Sequence, residues 1–274
     1  MGNATFIVWR ESVEAILIIA ILYSWIQARG DGRIRLRHLW LGVAGGIGLA
    51  VALAAAMLGF HSRLAGATLE AFQASIMIVA ALLVTHMVVW MRHHGRTLKR
   101  DLESGLARAA EETGGLSAAL LAAIAVGREG AETVLFLYGI VAENPDGGWV
   151  DLMLGAAFGA GLAAMTAVLF MKGSRLLPQR VFFRISEVLL LLLASGLLVS
   201  GLEGFLNLEW LPPLVEPVWD SGAVLEDNGL LGTFAGYRAR PALSVLGLWL
   251  LYWIATLWLL RSKPAAKGGR WSAA

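Results

Sequence analysis

Seven stretches of the chain are almost unbroken runs of apolar residues, at about 4–26, 39–60, 69–91, 118–141, 151–171, 185–206 and 242–261. The charged residues collect in the short segments between them. A bilayer core of about 30 Å takes roughly 20 mostly apolar helical residues to cross, and each stretch has that length. The pattern predicts an all-α polytopic membrane protein with seven transmembrane helices, residues 1–274 forming a single transmembrane domain without a separate soluble module. Between the third and fourth stretches, Leu98, Leu102, Leu106 and Ala110 recur every four residues. This spacing predicts an amphipathic helix over Thr97–Glu112 that lies on the membrane surface. Gly42 with Gly46, and Gly155 with Gly159, form GxxxG patterns in the second and fifth stretches; such pairs let helix backbones approach closely.

Composition agrees with this class: 58% of residues are hydrophobic and 15% charged, too little polar surface to cover a soluble domain of this size. The first stretch lacks a basic flank and carries Arg10 and Glu11, so it is expected to be a retained helix rather than a signal peptide. The sequence contains no cysteine, which excludes disulfides, iron–sulfur clusters and thiolate metal sites. Basic residues are segregated: Arg29, Arg33, Arg35 and Arg37 in the first connection, Arg92, Arg96, Lys99, Arg100 and Arg108 in the third, Lys172, Arg175, Arg180 and Arg184 in the fifth, and Arg261, Lys263, Lys267 and Arg270 in the tail. The alternate connections are poor in Lys and Arg, and the last holds Glu209, Glu216, Asp220, Glu226 and Asp227. By the positive-inside rule, the N-terminus is expected outside and the C-terminus in the cytoplasm. Trp9, Trp25, Trp40, Trp90, Trp149 and Trp210 fall near stretch ends, where interfacial anchors belong.

Charge inside the apolar runs is the informative exception. Arg10-Glu11-Ser12-Val13-Glu14 lies in the first run and Arg128-Glu129-Gly130-Ala131-Glu132 in the fourth. One such residue at a helix centre costs about 2.5–3.5 kcal/mol, so six left facing lipid would cost on the order of 15–20 kcal/mol. They must face one another or an aqueous cavity. Residues three and four apart share a helix face, which groups Arg10, Glu11 and Glu14, and likewise Arg128, Glu129 and Glu132. Two buried Arg–Glu clasps holding helices together would account for one acid per arginine; each motif has two. The surplus acids point to a cation site, with a formal charge of −2 when all six groups are ionised. Carboxylates are hard ligands, suited to ferric iron, manganese, magnesium and calcium.

The motifs belong to a longer repeat. Glu70 and Glu187 follow their arginines by 60 and 59 residues, and His86 and Glu203 by 76 and 75. Stretches one to three (about 4–91) and four to six (about 118–206) therefore form two three-helix units, with the helix at about 242–261 extra. An odd number of spans per unit forces opposite orientations, the inverted-repeat architecture of secondary transporters, with the site near the midplane. Glu70 and Glu203 are the candidate entrance residues, with interfacial solvation as the alternative. Glu187 and His86 are the candidate exit residues, with a packed core histidine as the alternative for His86. His93 and His94 form either a solvated pair or a further metal site. The acidic last connection serves either to concentrate cations and dock a partner or as a solvated cap.

On the paired Arg-Glu-x-x-Glu motifs at 10–14 and 128–132, the chain resembles the oxidase-dependent iron permeases, which comprise the yeast high-affinity iron permease and the bacterial EfeU-type permeases. Glu70-Ala71-Phe72, Val89-Trp90-Met91-Arg92, Ala223-Val224-Leu225 and Leu231-Gly232-Thr233 extend the resemblance. Ser12-Val13 replaces the usual Gly-Leu, and Gln73 stands where EfeU-type proteins tend to have a second glutamate. The resemblance implies iron uptake across the cell (inner) membrane, with Glu11, Glu14, Glu129 and Glu132 as metal ligands beside Arg10 and Arg128. It also implies ferric or ferrous iron as the transported substrate and extracytoplasmic iron-binding or redox proteins as partners. No organic cofactor is expected, and no nucleic acid, because the basic residues fall where membrane topology places them. From the residues alone, a transporter or proton-coupled exchanger for another hard cation such as manganese stays open. No Ser/His pair or histidine cluster at membrane depth suggests an enzyme. The orientation has a direct test: a C-terminal reporter that is active only in the cytoplasm should be active, and one active only outside should be silent.

Overall fold

The computed structural model describes residues 2–29, 36–94, 98–112, 115–143, 149–171, 179–222 and 235–262. These form eight α-helices and, among the described residues, no strand: α1 (Gly2–Arg29), α2 (Leu36–His61), α3 (Ala67–His94), α4 (Leu98–Glu112), α5 (Gly115–Glu143), α6 (Trp149–Met171), α7 (Gln179–Asn207) and α8 (Leu243–Arg261). Five of them, α2, α3, α6, α7 and α8, are long and apolar enough to cross a membrane. This is a multi-pass helical membrane protein. α1 and α5, at 28 and 29 residues, are the two further helices of comparable length, and they carry the charged motifs. The predicted amphipathic helix is present as α4, with Leu106 buried on its packed face.

The glycine patterns decide which helices touch. A Cβ at Gly46 would sit 2.7 Å from the Gly127 nitrogen and 2.9 Å from the Ala123 oxygen, and one at Gly42 would collide with the Ala119 carbonyl. Gly130 in turn leaves room only for Ala50. α2 therefore lies backbone to backbone along α5, in parallel, with 42, 46 and 50 facing 119, 123 and 130 in order. On the other side of the bundle, Gly159 of α6 meets Thr5, Val8 and Trp9 of α1 in the same way, and Trp9 Nε1 donates to Thr166 Oγ1 at 3.0 Å. α3 and α7 run antiparallel: Gly201 and Gly204 face Ala74 near one end, and Arg92 pairs with Glu187 at 3.0 Å near the other. In lipid there is no hydrophobic gain from pressing two apolar helices together, so close van der Waals packing at small residues supplies the association.

α8 is fastened to the bundle by polar contacts. Tyr252 Oη lies 2.8 Å from Thr85 Oγ1 of α3, and Trp249 Nε1 and Trp253 Nε1 donate to Ser195 Oγ of α7 at 2.8 and 3.2 Å. Two ends of the bundle can be distinguished. The N-terminal end holds the start of α1 and the described residues of the α7–α8 connection, 208–222 and 235–242. The opposite, basic end holds α4 together with Arg37, Arg92, Arg184 and Arg261.

Gly46→Ala should therefore lower the amount of folded protein in membranes, at a cost on the order of 1–3 kcal/mol of overpacking. Gly48→Ala, where a Cβ meets nothing within 4 Å, should leave it unchanged. Quantitative detection of a tagged chain in solubilised membranes checks both.

Candidate metal site

α1 and α5 run antiparallel at the centre of the molecule: Ile18, Leu22 and Ile26 share one apolar cluster with Ala118, Ala122 and Val126. This arrangement brings the two motifs side by side about halfway along each helix. Arg10 is only 3% exposed. Its Nη1 donates to Glu11 Oε1 at 2.6 Å, and its Nη2 lies 2.5 Å from Glu14 Oε1 in an ion pair lacking hydrogen-bond alignment. Nη2 also donates to the Met87 thioether at 3.0 Å. The second arginine is placed differently. Arg128 is 42% exposed; its Nε donates to Glu132 Oε1 at 2.9 Å and lies 3.8 Å from Glu129 Oε1. The guanidinium carbon stands 4.8 Å above the Trp90 ring.

Carboxylate oxygens of Glu11, Glu14 and Glu129, all buried, lie within 4.8 Å of one another. Glu132 is within electrostatic range of Glu11 and Glu14. Glu11 Oε2, Glu129 Oε2 and Glu132 Oε2 are buried without a hydrogen-bond donor. Buried polar atoms are nearly always paired, and exceptions ask for an explanation. Each arginine takes an oxygen of the acids in its own motif. Three hard oxygen donors, from Glu11, Glu14 and Glu129, at that spacing could hold one cation.

The other candidate residues stand apart from this cluster. Glu70 is exposed in the first turn of α3. Glu203, near the end of α7, accepts a bifurcated hydrogen bond from Arg238 Nε–H, 2.7 Å to each carboxylate oxygen, and Arg238 Nη2 donates to Ser200 at 2.9 Å. Glu187 is paired with Arg92. His86 is exposed on α3 rather than packed into the core. His93 directs both ring nitrogens at carbonyl oxygens, Val89 at 2.7 Å and Ser262 at 3.0 Å; the side chain of His94 lies outside the described residues. In the last connection, hydrogen bonds from Arg240 and from the Gly222 N–H hold the Asp220 carboxyl below the usual range, and Glu226 and Asp227 lie outside the described residues.

Beside the cluster is a cavity of about 130 Å³, lined by Glu14, Arg128 and Glu129 and by Ile18, Trp90 and Leu102 among others. Sequence reasoning missed this role for Trp90, which it placed as an interfacial anchor, and it missed Met87 altogether. Neither could be found from spacing, because Met87 reaches Arg10 across 77 positions of chain and Trp90 reaches Arg128 across 38, each from a separate helix.

The fold is that of a multi-pass helical membrane protein built around one buried carboxylate cluster. The chain belongs to the iron permease FTR1 family, whose model matches residues 1–261. It is 30% identical to the Ferrous iron permease EfeU of Escherichia coli O157:H7 over 272 residues, covering 95% of each chain. The figures for the Shigella sonnei (strain Ss046) protein of the same name are the same. For that of Yersinia pestis, identity is 28% over 269 residues, 96% of this chain and 94% of the other. No solved structure matches.

The two arginines should differ in their effect on stability. Arg10→Ala leaves Glu11 and Glu14 buried and unpaired, which costs about 3–5 kcal/mol, and should sharply reduce the thermal stability of the purified protein. Arg128→Ala removes a half-exposed group and should cost less. Melting both variants in detergent beside the wild type checks the order.

Proposed function

We propose that this chain carries iron inward across the cytoplasmic membrane through one carboxylate site made by Glu11, Glu14, Glu129 and Glu132. The observation that carries the proposal is the convergence of both motifs on a buried set of oxygens within 4.8 Å, in a chain of the iron permease family. On this reading α1 and α5 are also transmembrane, making seven spans, because a helix of 28 residues is about 42 Å long and its charges are turned inward. Arg10 and Arg128 offset part of the acids' charge while the site is unloaded. A cation that enters must compete with them, and the cluster's net negative charge favours the cation without gripping it so tightly that it cannot leave.

An inverted repeat of α1–α3 and α5–α7 is supported by the packing. Exchanging the two units turns the parallel α2–α5 pair into the parallel α6–α1 pair, both seated on GxxxG glycines. It maps the antiparallel α3–α7 and α1–α5 pairs onto themselves. The basic end is then cytoplasmic and the N-terminus outside. Extracytoplasmic iron-binding or redox proteins would deliver the metal, and the name of the bacterial relatives favours the ferrous form. A hard-cation permease that prefers manganese is the second reading, since the oxygen donors alone do not separate the two.

Glu14→Gln and Glu132→Gln keep shape and hydrogen-bonding capacity but remove the charge. Each should abolish uptake of labelled iron, by at least about tenfold, while the amount of protein in purified membranes stays near wild type. Arg10→Lys should also impair uptake, because one ammonium cannot replace a planar group that reaches Glu11, Glu14 and Met87 together. In a pair of structural clasps the result is reversed: protein disappears from the membrane. Full uptake in all four Glu→Gln variants would end the proposal, and a manganese preference in the wild type would select the second reading.

A further inference from the structure

The carboxylate cluster is bounded unequally along the bundle. One helical turn beyond it toward the N-terminal end stand Ile7, four residues before Glu11, and Phe136, four after Glu132. Both are completely buried in the same apolar cluster. One turn toward the basic end stand Ile18, four residues after Glu14, and Ala125, four before Glu129, and both line the cavity. The cavity reaches Trp90 at the end of α3 and Leu102 on α4, the helix that lies at the basic end.

Arg128 projects into this cavity. It stands 13 residues into α5, about 20 Å from the start of the helix, with 42% of its side chain exposed. A guanidinium at that depth is tolerated when it faces water or a partner rather than lipid. Besides Glu129 at 3.8 Å, it has two further partners. Glu132 holds Nε at 2.9 Å, and the Trp90 ring faces the guanidinium carbon at 4.8 Å, within the range of a cation–π contact. Arg10 has no comparable freedom, being enclosed by Glu11, Glu14 and Met87.

We propose that Arg128 is the movable inner gate of the permease and that Trp90 is the positioning residue that holds it when the carboxylates are loaded. The inference rests on the carboxylate site proposed above. A cation among Glu11, Glu14 and Glu129 repels Arg128 toward the cavity that it already borders. The Trp90 contact, present at 4.8 Å beside the Glu132 bond, is retained when that bond is given up, so the guanidinium is not stranded among apolar side chains. Once the metal leaves toward the basic end, Arg128 returns to Glu132 and closes the path. Arg10 stays in place throughout and holds the first motif together. With Arg128 bonded to Glu132 at 2.9 Å, the inner path is closed in this structure, and at the N-terminal end Ile7 and Phe136 are buried.

Removing the ring should penalise loading without disturbing the carboxylates. Trp90→Leu should raise the half-saturating iron concentration for uptake about three- to tenfold, the scale of a part-desolvated cation–π contact, with the maximal rate per molecule retained. Trp90→Phe, which keeps an aromatic face, should restore most of the affinity. A purely structural tryptophan gives another pattern: lower abundance and a lower maximal rate, unchanged half-saturation, and no advantage of Phe over Leu. Because the sequence has no cysteine, Ala125→Cys provides a second measurement. In inside-out vesicles a membrane-impermeant thiol reagent should label it, and labelled ferrous iron should change the rate of labelling. Labelling only from the opposite face would overturn the route. If Glu14→Gln abolishes uptake while Trp90→Leu keeps wild-type half-saturation at normal abundance, the gate alone is refuted; if Glu14→Gln transports normally, the site itself is.

Discussion

A guanidinium enclosed in an apolar helix bundle is the constraint on which the rest of this molecule depends. Arg10 cannot be left alone at 3% exposure, because an unpaired buried charge costs several kcal/mol. Glu11 and Glu14 on its own helix answer it, and Met87 accepts from the same guanidinium. But two acids against one arginine leave negative charge over, and α5 adds two more acids and only one more base. The surplus is stable only if the four carboxylates are close enough to share counter-charge, which requires α1 and α5 to lie side by side. The glycine-seated packing of α2 on α5 and of α6 on α1 supplies the flanks that hold them there.

The same chemistry occurs twice in unequal surroundings. Arg10 is sealed and Arg128 half-exposed, although each stands at the head of an Arg-Glu-x-x-Glu segment. The difference comes from the neighbours. Met87 presses against the first motif, whereas Trp90, one turn further along the same helix, meets the second at Arg128 and lines a cavity beside it. A single helix, α3, thereby closes over one arginine and leaves room beside the other.

Local periodicity carried much of the architecture. The apolar runs predict the observed long helices to within a few residues, the leucine spacing places α4, and Gly42, Gly46 and Gly159 of the GxxxG pairs fall where backbones meet. The motif residues were legible because charge in an apolar run is costly enough to demand a reason. What stayed hidden depends on contacts between distant segments. Glu203 looks like an unattached intramembrane acid until Arg238, 35 positions later, is seen to hold it. Glu187 likewise needs Arg92. Trp90 sits at a helix end like other tryptophans, and only the tertiary arrangement turns its face to Arg128. Spacing within one helix specifies a face; it does not specify what occupies the other side.

The extra helix has a thermodynamic consequence. A transporter assembled from two equivalent halves in opposite orientation would have states of equal energy open to either side, because each is the other turned over. α8 has no counterpart in the first unit. It binds α3 through Thr85–Tyr252 and α7 through the two tryptophans on Ser195, and its far end meets His93 through the Ser262 carbonyl. These bonds need not be equally good in both states, so the degeneracy is lifted. On the proposed inverted repeat, the resting protein would have a preferred side, set by a helix that contributes nothing to the carboxylate cluster.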